Sequence, residues 1–323
     1  MTEQNAAAAP PIPISGWIEA GIYVFSIGVL GLVYAIGHQI GAHPIAFILY
    51  AMVVSALMLL AATGPGPDAI RIILAPQSWL VGIATVSLEV FYYLTLTHIA
   101  PTTGSLLVRV AIPMAMILGW AQFSRRPPRL AMIGGLVIAV GILPLFFTVP
   151  VEHRMAVFSA VFASALAFIM RSFSSEFHPW NRRAQTVMEK LRITGLVVFV
   201  TCIVGLTLAA LGSLAVATGL LPPLQVIPTA EQMLHVPTIL LGTLVGSVVI
   251  TSIVVFSFSA VVKIRTENLT AASAFTPVTT LLVQMIGSAA GLIPAYALDP
   301  ALLPSMAVVI GGVFLILYAA GRR

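Results

Sequence analysis

Residues 88–142 read LEVFYYLTLTHIAPTTGSLLVRVAIPMAMILGWAQFSRRPPRLAMIGGLVIAVGI, and this stretch decides the fold. It contains the end of one apolar run, a break at His98–Pro101, a second run, a basic break from Ser124 to Arg129, and the start of a third run. A run of about 20 residues at ~1.5 Å rise crosses a ~30 Å hydrocarbon core. The runs are continuously apolar, unlike the alternating ~10-residue strands of an outer-membrane barrel. Extended along the chain, the same reading predicts ten spans, at 16–36, 44–62, 78–98, 103–122, 130–149, 155–172, 193–214, 238–262, 267–288 and 302–320. The expected fold is an all-α integral membrane protein.

Composition agrees. Of 323 residues, 59% are apolar without counting glycine, and only 8% are charged, where a soluble domain has about 25% charged residues. Such a chain cannot build a water-soluble surface, which excludes a soluble enzyme, a nucleic-acid-binding module and a disordered chain. The net charge of +5 is therefore read as topology. Cys202 is the single cysteine, so neither an intrachain disulfide nor a cysteine-based metal site is expected, and no cofactor is called for. The first 16 residues carry no Lys or Arg, unlike a secretory signal, so the first run is expected to be a retained helix.

With the N-terminus inside, 13 of the 15 basic residues fall on cytoplasmic segments: Arg71; Arg125, Arg126 and Arg129; Arg171, Arg182, Arg183, Lys190 and Arg192; Lys263 and Arg265; Arg322 and Arg323. Arg154 is alone in an outer loop, and Arg109 is inside span four. This asymmetry predicts N-in and C-in. Trp17, Trp79 and Trp120 fall at cytoplasmic span ends, where amphipathic rings favour the interface.

The two halves share weak landmarks in the same order. Val24-Phe25-Ser26 answers Val157-Phe158-Ser159, His43-Pro44 answers His178-Pro179, and Pro113 answers Pro277; Ile133-Gly134-Gly135 answers Ile310-Gly311-Gly312. A five-helix repeat has an odd number of helices, so its second copy must be inverted, as in secondary transporters with a site near midplane. The predicted organisation is a tail at 1–15, a first repeat at 16–149 and a second at 155–320.

Residues Tyr92-Tyr93-Leu94-Thr95-Leu96, Ala100-Pro101-Thr102-Thr103-Gly104-Ser105-Leu106-Leu107, Pro113, Gly134-Gly135 and Gly141 resemble the EamA-domain branch of the drug/metabolite transporter superfamily. Asn268-Leu269-Thr270-Ala271-Ala272 and Pro277 match the same pattern in the second half. The resemblance covers roughly residues 20–320 and implies a ten-helix secondary transporter. The chain departs from the family pattern at Ser124-Arg125-Arg126-Pro127, where an acidic residue is frequent, and in span two, which has no early Arg.

Charged and polar positions inside the spans are the candidate site. Glu89 lies about nine residues, or ~13 Å, from the outer end of span three, and Arg109 about six residues, or ~9 Å, from the same face in span four. A lone charge at a helix centre costs ~2.5–3.5 kcal/mol, so the two are expected to meet. The meeting is either a permanent salt bridge or a site where Arg109 takes a substrate carboxylate and Glu89 a proton. Pro113 and Pro277 cannot donate to the carbonyls of Arg109 and Ser273, which makes those carbonyls candidates for a ligand. Tyr92 and Tyr93 share Glu89's face and either line the cavity or form an outer aromatic belt; Tyr23 shares a face with Glu19 and Ser26, although Glu19 could simply snorkel. His38, His43 and His98 are read as interfacial, and no metal site is expected. Gly242-xxx-Gly246 and Gly287-xxx-Gly291 are read as internal helix contacts first and dimer contacts second.

The functional expectation is alternating-access transport of a small molecule across a bacterial-type cytoplasmic (inner) membrane, coupled to a proton or ion. No G-x-x-x-x-G-K-[ST] nucleotide loop is present. The alternatives are a lipid-carrier flippase of the same fold, or an intramembrane enzyme, although neither H-E-x-x-H nor G-x-S-x-G occurs. The expected partners are a small-molecule substrate, the bilayer and a second copy of the chain, with no nucleic acid.

Overall fold

The computed structural model describes residues 13–321, so the tail at 1–12 and Arg322 and Arg323 lie outside the described residues. Ten helices are long and apolar enough to cross a membrane: α1 Ile14–Gln39, α2 Pro44–Thr63, α3 Pro76–Leu96, α4 Pro101–Phe123, α5 Arg129–Thr148, α6 Val151–Phe177, α7 Val187–Ala217, α8 Ala230–Thr266, α9 Asn268–Ala289 and α10 Leu302–Ala320. No strand occurs among the described residues. The protein is thus an all-helical, multi-pass membrane protein. Side chains such as Ile117, Leu136, Leu208, Leu214 and Leu240 are more than half exposed on the outside of the bundle, a cost in water and none in lipid.

Local chemistry sets the ends. Pro44, Pro76 and Pro101 each open a helix, where the missing N–H costs nothing. Thr186 and Glu189 close a reciprocal cap at the start of α7. Gly64 follows α2 at φ 67°, left-handed geometry that suits glycine. A kink near the end of α8 instead holds Arg265 at φ 67°, a strained position for a side chain with a Cβ.

The helices do not pack in chain order. α1 packs on α8 and α9, and α6 on α3 and α4; α2 packs on α7, α5 on α10, and α4 on α9. One apolar cluster joins α1, α2 and α3 to α7 and α8 around Tyr34, Phe47 and Tyr93. Another joins α4, α5 and α6 to α9 and α10 around Ile138, Leu145 and Val309. Neither the 16–149 half nor the 155–320 half therefore packs on its own.

Glycines permit the closest approaches. A Cβ on Gly134 would meet the Gly312 carbonyl and Ile316, and a Cβ on Gly312 would meet the Gly134 carbonyl and Ile138. The contact is reciprocal and pairs Gly134 with Gly312, one residue away from the sequence match of Gly134 with Gly311. Gly242 and Gly246 lie against α2, as the internal-packing reading expects; Gly287 packs on Leu32, but a Cβ at Gly291 would meet no other side chain or helix, and Gly291 sits at φ 72° just past its helix.

Candidate functional site

Three of the ten helices are irregular in mid-course: α8 widens into a π-helical turn over Val245–Ile250, and α4 and α9 are interrupted. α4 winds normally from Pro101 to Leu107, tightens over Val108–Val110, and resumes at Ala111. α9 winds to Ser273, turns at Ala274 and Phe275, and restarts as Thr276–Ala289 with Pro277 in its first turn. Pro277 has no N–H for the Ser273 carbonyl. Two other groups take that oxygen: Arg109 Nη2 donates to it at 2.9 Å and Thr276 Oγ1 at 2.7 Å. Arg109 sits within the tightened turn of α4, so the irregular points of the two helices are tied together. A cation at the carbonyl end of a helical segment also meets the negative end of its dipole.

The expected Glu89–Arg109 pair does not form. Tyr34 Oη donates to Glu89 Oε2 at 2.7 Å, so the carboxyl turns toward α1 while Arg109 turns toward α9. Matching depth fixed the height of the two groups but not the direction each faces around its helix. Among the described residues, ion pairs join only Arg71 to Asp68, Arg125 to Glu176, and Lys263 to Glu19. The electrostatic neighbours of Arg109 are Tyr23 and Tyr92. The cationic neighbour of Glu89 is Arg171, which lies inside α6, six residues before Phe177.

The remaining candidates separate. Tyr92 and Tyr23 are partly exposed and close to both charges. Tyr93 is a core residue: it is 1% exposed, donates to the Ala42 carbonyl at 3.2 Å and packs on Tyr34 and Phe47. Pro113 lies near Gly135 of α5. Pro277 is buried. Glu19 does not snorkel freely, because Lys263 pairs with it at 2.5 Å.

Three participants escaped the sequence reading. Tyr34 looks like one more aromatic in span one and is 55 residues from Glu89. Arg171 was counted with the cytoplasmic charges. Gln284, the lone glutamine within α9, is 2% exposed; its Oε1 accepts from the Thr102 N–H at 3.0 Å and hydroxyl at 2.6 Å, satisfying the start of α4. A polar residue in an apolar run was the available signal for all three.

Outside the spans, histidines tie loops together. His178 is fully buried; its Nδ1 accepts from the Asn181 N–H, which leaves Nε2 to donate to Ser78 Oγ at 2.8 Å, and Ser78 in turn donates to the Ile72 carbonyl. Burial pushes its pKa below 6.5. His43 contacts the Gln225 carbonyl at 3.0 Å, and burial lowers it as well. His98 stacks on His153 at 4.7 Å and is held down by burial, then by the charges of His153 and His38. No cluster of metal-ligating side chains occurs among the described residues.

No protein-family model matches the chain, and no curated protein matches it. A solved structure titled "Crystal structure of protein" is similar, with 15% identity and a TM-score of 0.56 over 96% of this chain and 99% of that one. Likeness at that identity carries the fold alone.

Proposed function

We propose that the protein is a secondary transporter that moves a small molecule by alternating access, with its site at the junction of α4 and α9. The observation that carries this reading is the pair of interrupted helices joined by Arg109 and the Ser273 carbonyl. Irregular backbone at membrane depth is tolerated where it is buried in protein or lines a cavity, and broken helices supply ligand groups in transporters.

The packing pattern supports two inverted five-helix repeats. Exchanging each helix with the one five places along turns α1·α8 into α6·α3 and α1·α9 into α6·α4, and leaves α2·α7, α4·α9 and α5·α10 unchanged. The reciprocal Gly134–Gly312 contact is what a two-fold relation between α5 and α10 requires. With the basic loops on the inner side, this gives N-in and C-in, and the arrangement agrees with the drug/metabolite transporter resemblance.

The test is reconstitution into liposomes with radiolabelled small molecules, in counterflow. Accumulation that needs the same compound on the inside supports carrier exchange. No counterflow for any amine, carboxylate, phosphate ester or sugar in such a set would reject the reading. Topology is tested by reporters after Arg323 and within 215–237, expected inside and outside respectively.

A further inference from the structure

The charge balance at the α4–α9 junction is uneven. Arg109 has five N–H donors, and its one hydrogen bond is to a neutral carbonyl. Its other nitrogens are not among the buried polar atoms left without a partner, and the residue is partly exposed, so the rest of the guanidinium is not sealed within the protein. Among the described residues no carboxylate answers it. Glu89 is engaged by Tyr34 and has Arg171 as its cationic neighbour. Two phenols, Tyr23 and Tyr92, stand closest to Arg109 in the electrostatic sense.

A positive charge at this depth without a counter-charge is costly, and function is the usual reason for retaining one. Capping a single carbonyl would need only a neutral donor, a task Thr276 Oγ1 already performs. From this we infer that Arg109 is the binding group for an oxyanion on the transported molecule, a carboxylate or phosphate ester whose apolar or aromatic body lies against Tyr23 and Tyr92. The inference rests on the transporter reading for its biological sense, but the binding site stands or falls separately. A guanidinium suits such a ligand because its planar fork can hold two oxygens at once. When the anion arrives, Arg109 is shared between it and Ser273, so ligand binding acts directly on the link between α4 and α9.

The experiment uses one ring with different head groups: benzoate, phenyl phosphate, benzamide and benzylamine, added to the purified full chain in detergent while thermal unfolding is followed. A ligand a few-fold above its Kd should raise Tm by about 2–4 °C. The expected result is a rise with benzoate or phenyl phosphate and none with benzamide or benzylamine; the stronger of the two anions tells carboxylate from phosphate. Arg109→Gln should abolish the rise, and Arg109→Lys, which keeps the charge but loses the fork, should retain part of it. If Arg109→Gln does not fold, the four-ligand series on the unmodified protein and on Arg109→Lys decides alone. The inference is overturned by no rise with either anion, by an equal rise with benzamide or benzylamine, or by an anion effect that survives in Arg109→Gln. Anion binding without counterflow in liposomes would keep this site and reject transport, whereas counterflow of amines alone would keep transport and reject this site.

Discussion

The Arg109 guanidinium and the Ser273 carbonyl stand 2.9 Å apart across 164 residues of chain. The carbonyl is free for this contact because Pro277 cannot donate to it. Proline and arginine therefore act as one device, and their energies are coupled. Arg109→Ala should cost ~1.5–3 kcal/mol, the usual worth of a hydrogen bond to a charged group. In a Pro277→Ala background, the restored N–H can take the carbonyl, so the cost of Arg109→Ala should shrink. Chemical or thermal unfolding of the two single variants and the double measures the coupling, and additive effects would show the device does not exist.

Tyr34 and Glu89 form a second coupled pair. Tyr34→Phe leaves the Glu89 oxygen without its donor and should cost ~1–3 kcal/mol. Glu89→Gln keeps an acceptor oxygen for Tyr34 and should change stability by less than ~1 kcal/mol. If Glu89 carries the coupling proton, uptake by Glu89→Gln should lose its pH dependence while the protein stays folded.

His178 ties the α2–α3 loop to the α6–α7 loop in its neutral form. Its pKa is lowered on folding, so the unfolded chain binds more protons between the folded value and 6.5. Stability from this group is therefore present above pH ~6.5 and is lost as pH falls through the folded value. Tm measured from pH 8 to pH 5 should fall more steeply for the unmodified protein than for His178→Asn. Parallel curves would show that another group carries the acid sensitivity.

The α5–α10 contact makes a sharp distinction between neighbouring glycines. Gly134→Ala places a methyl against the Gly312 carbonyl and should cost ~1–3 kcal/mol by overpacking. Gly311→Ala meets nothing within 4 Å and should be neutral or stabilising by up to ~1 kcal/mol, because alanine favours a helix. Equal effects would contradict the packing of these helices.

Arg265 at φ 67° gives a prediction of the opposite sign. Arg265→Gly removes Cβ strain at the kink and should stabilise by about 1 kcal/mol, read as a small rise in Tm. A loss would mean that the arginine side chain contributes more than its backbone costs.

The helices were legible in the sequence because a span needs only length and apolarity, and both are local. All ten predicted runs became helices, with α6 and α7 extending past their predicted ends into the loop between them. Glu89, Tyr92 and Arg109 stood out because a polar group is rare at that depth. Their partners did not, because contact is set by the direction each helix presents to its neighbours. Nothing between Pro76 and Leu96 says that Glu89 faces Tyr34. Tyr93 shows the same limit: one residue beyond Tyr92, it turns into the core and donates to Ala42. Arg171 drew no notice as a neighbour of Glu89 because a charge near a span end reads as a loop residue, whereas the helix continues to Phe177.

The packing of α1 on α8 and α9 sets a schedule for biogenesis. Glu19 leaves the ribosome 244 residues before Lys263, the cation that answers it. At ~5–20 residues per second, synthesis of the intervening chain takes roughly 10–50 s. For that time the first helix sits in the membrane or the insertion machinery without its principal neighbours, carrying an acid and a tyrosine on a face meant for protein. Arrest or truncation of synthesis anywhere before α8 should therefore leave a first helix that is inserted but unassembled, a natural target for quality-control proteases.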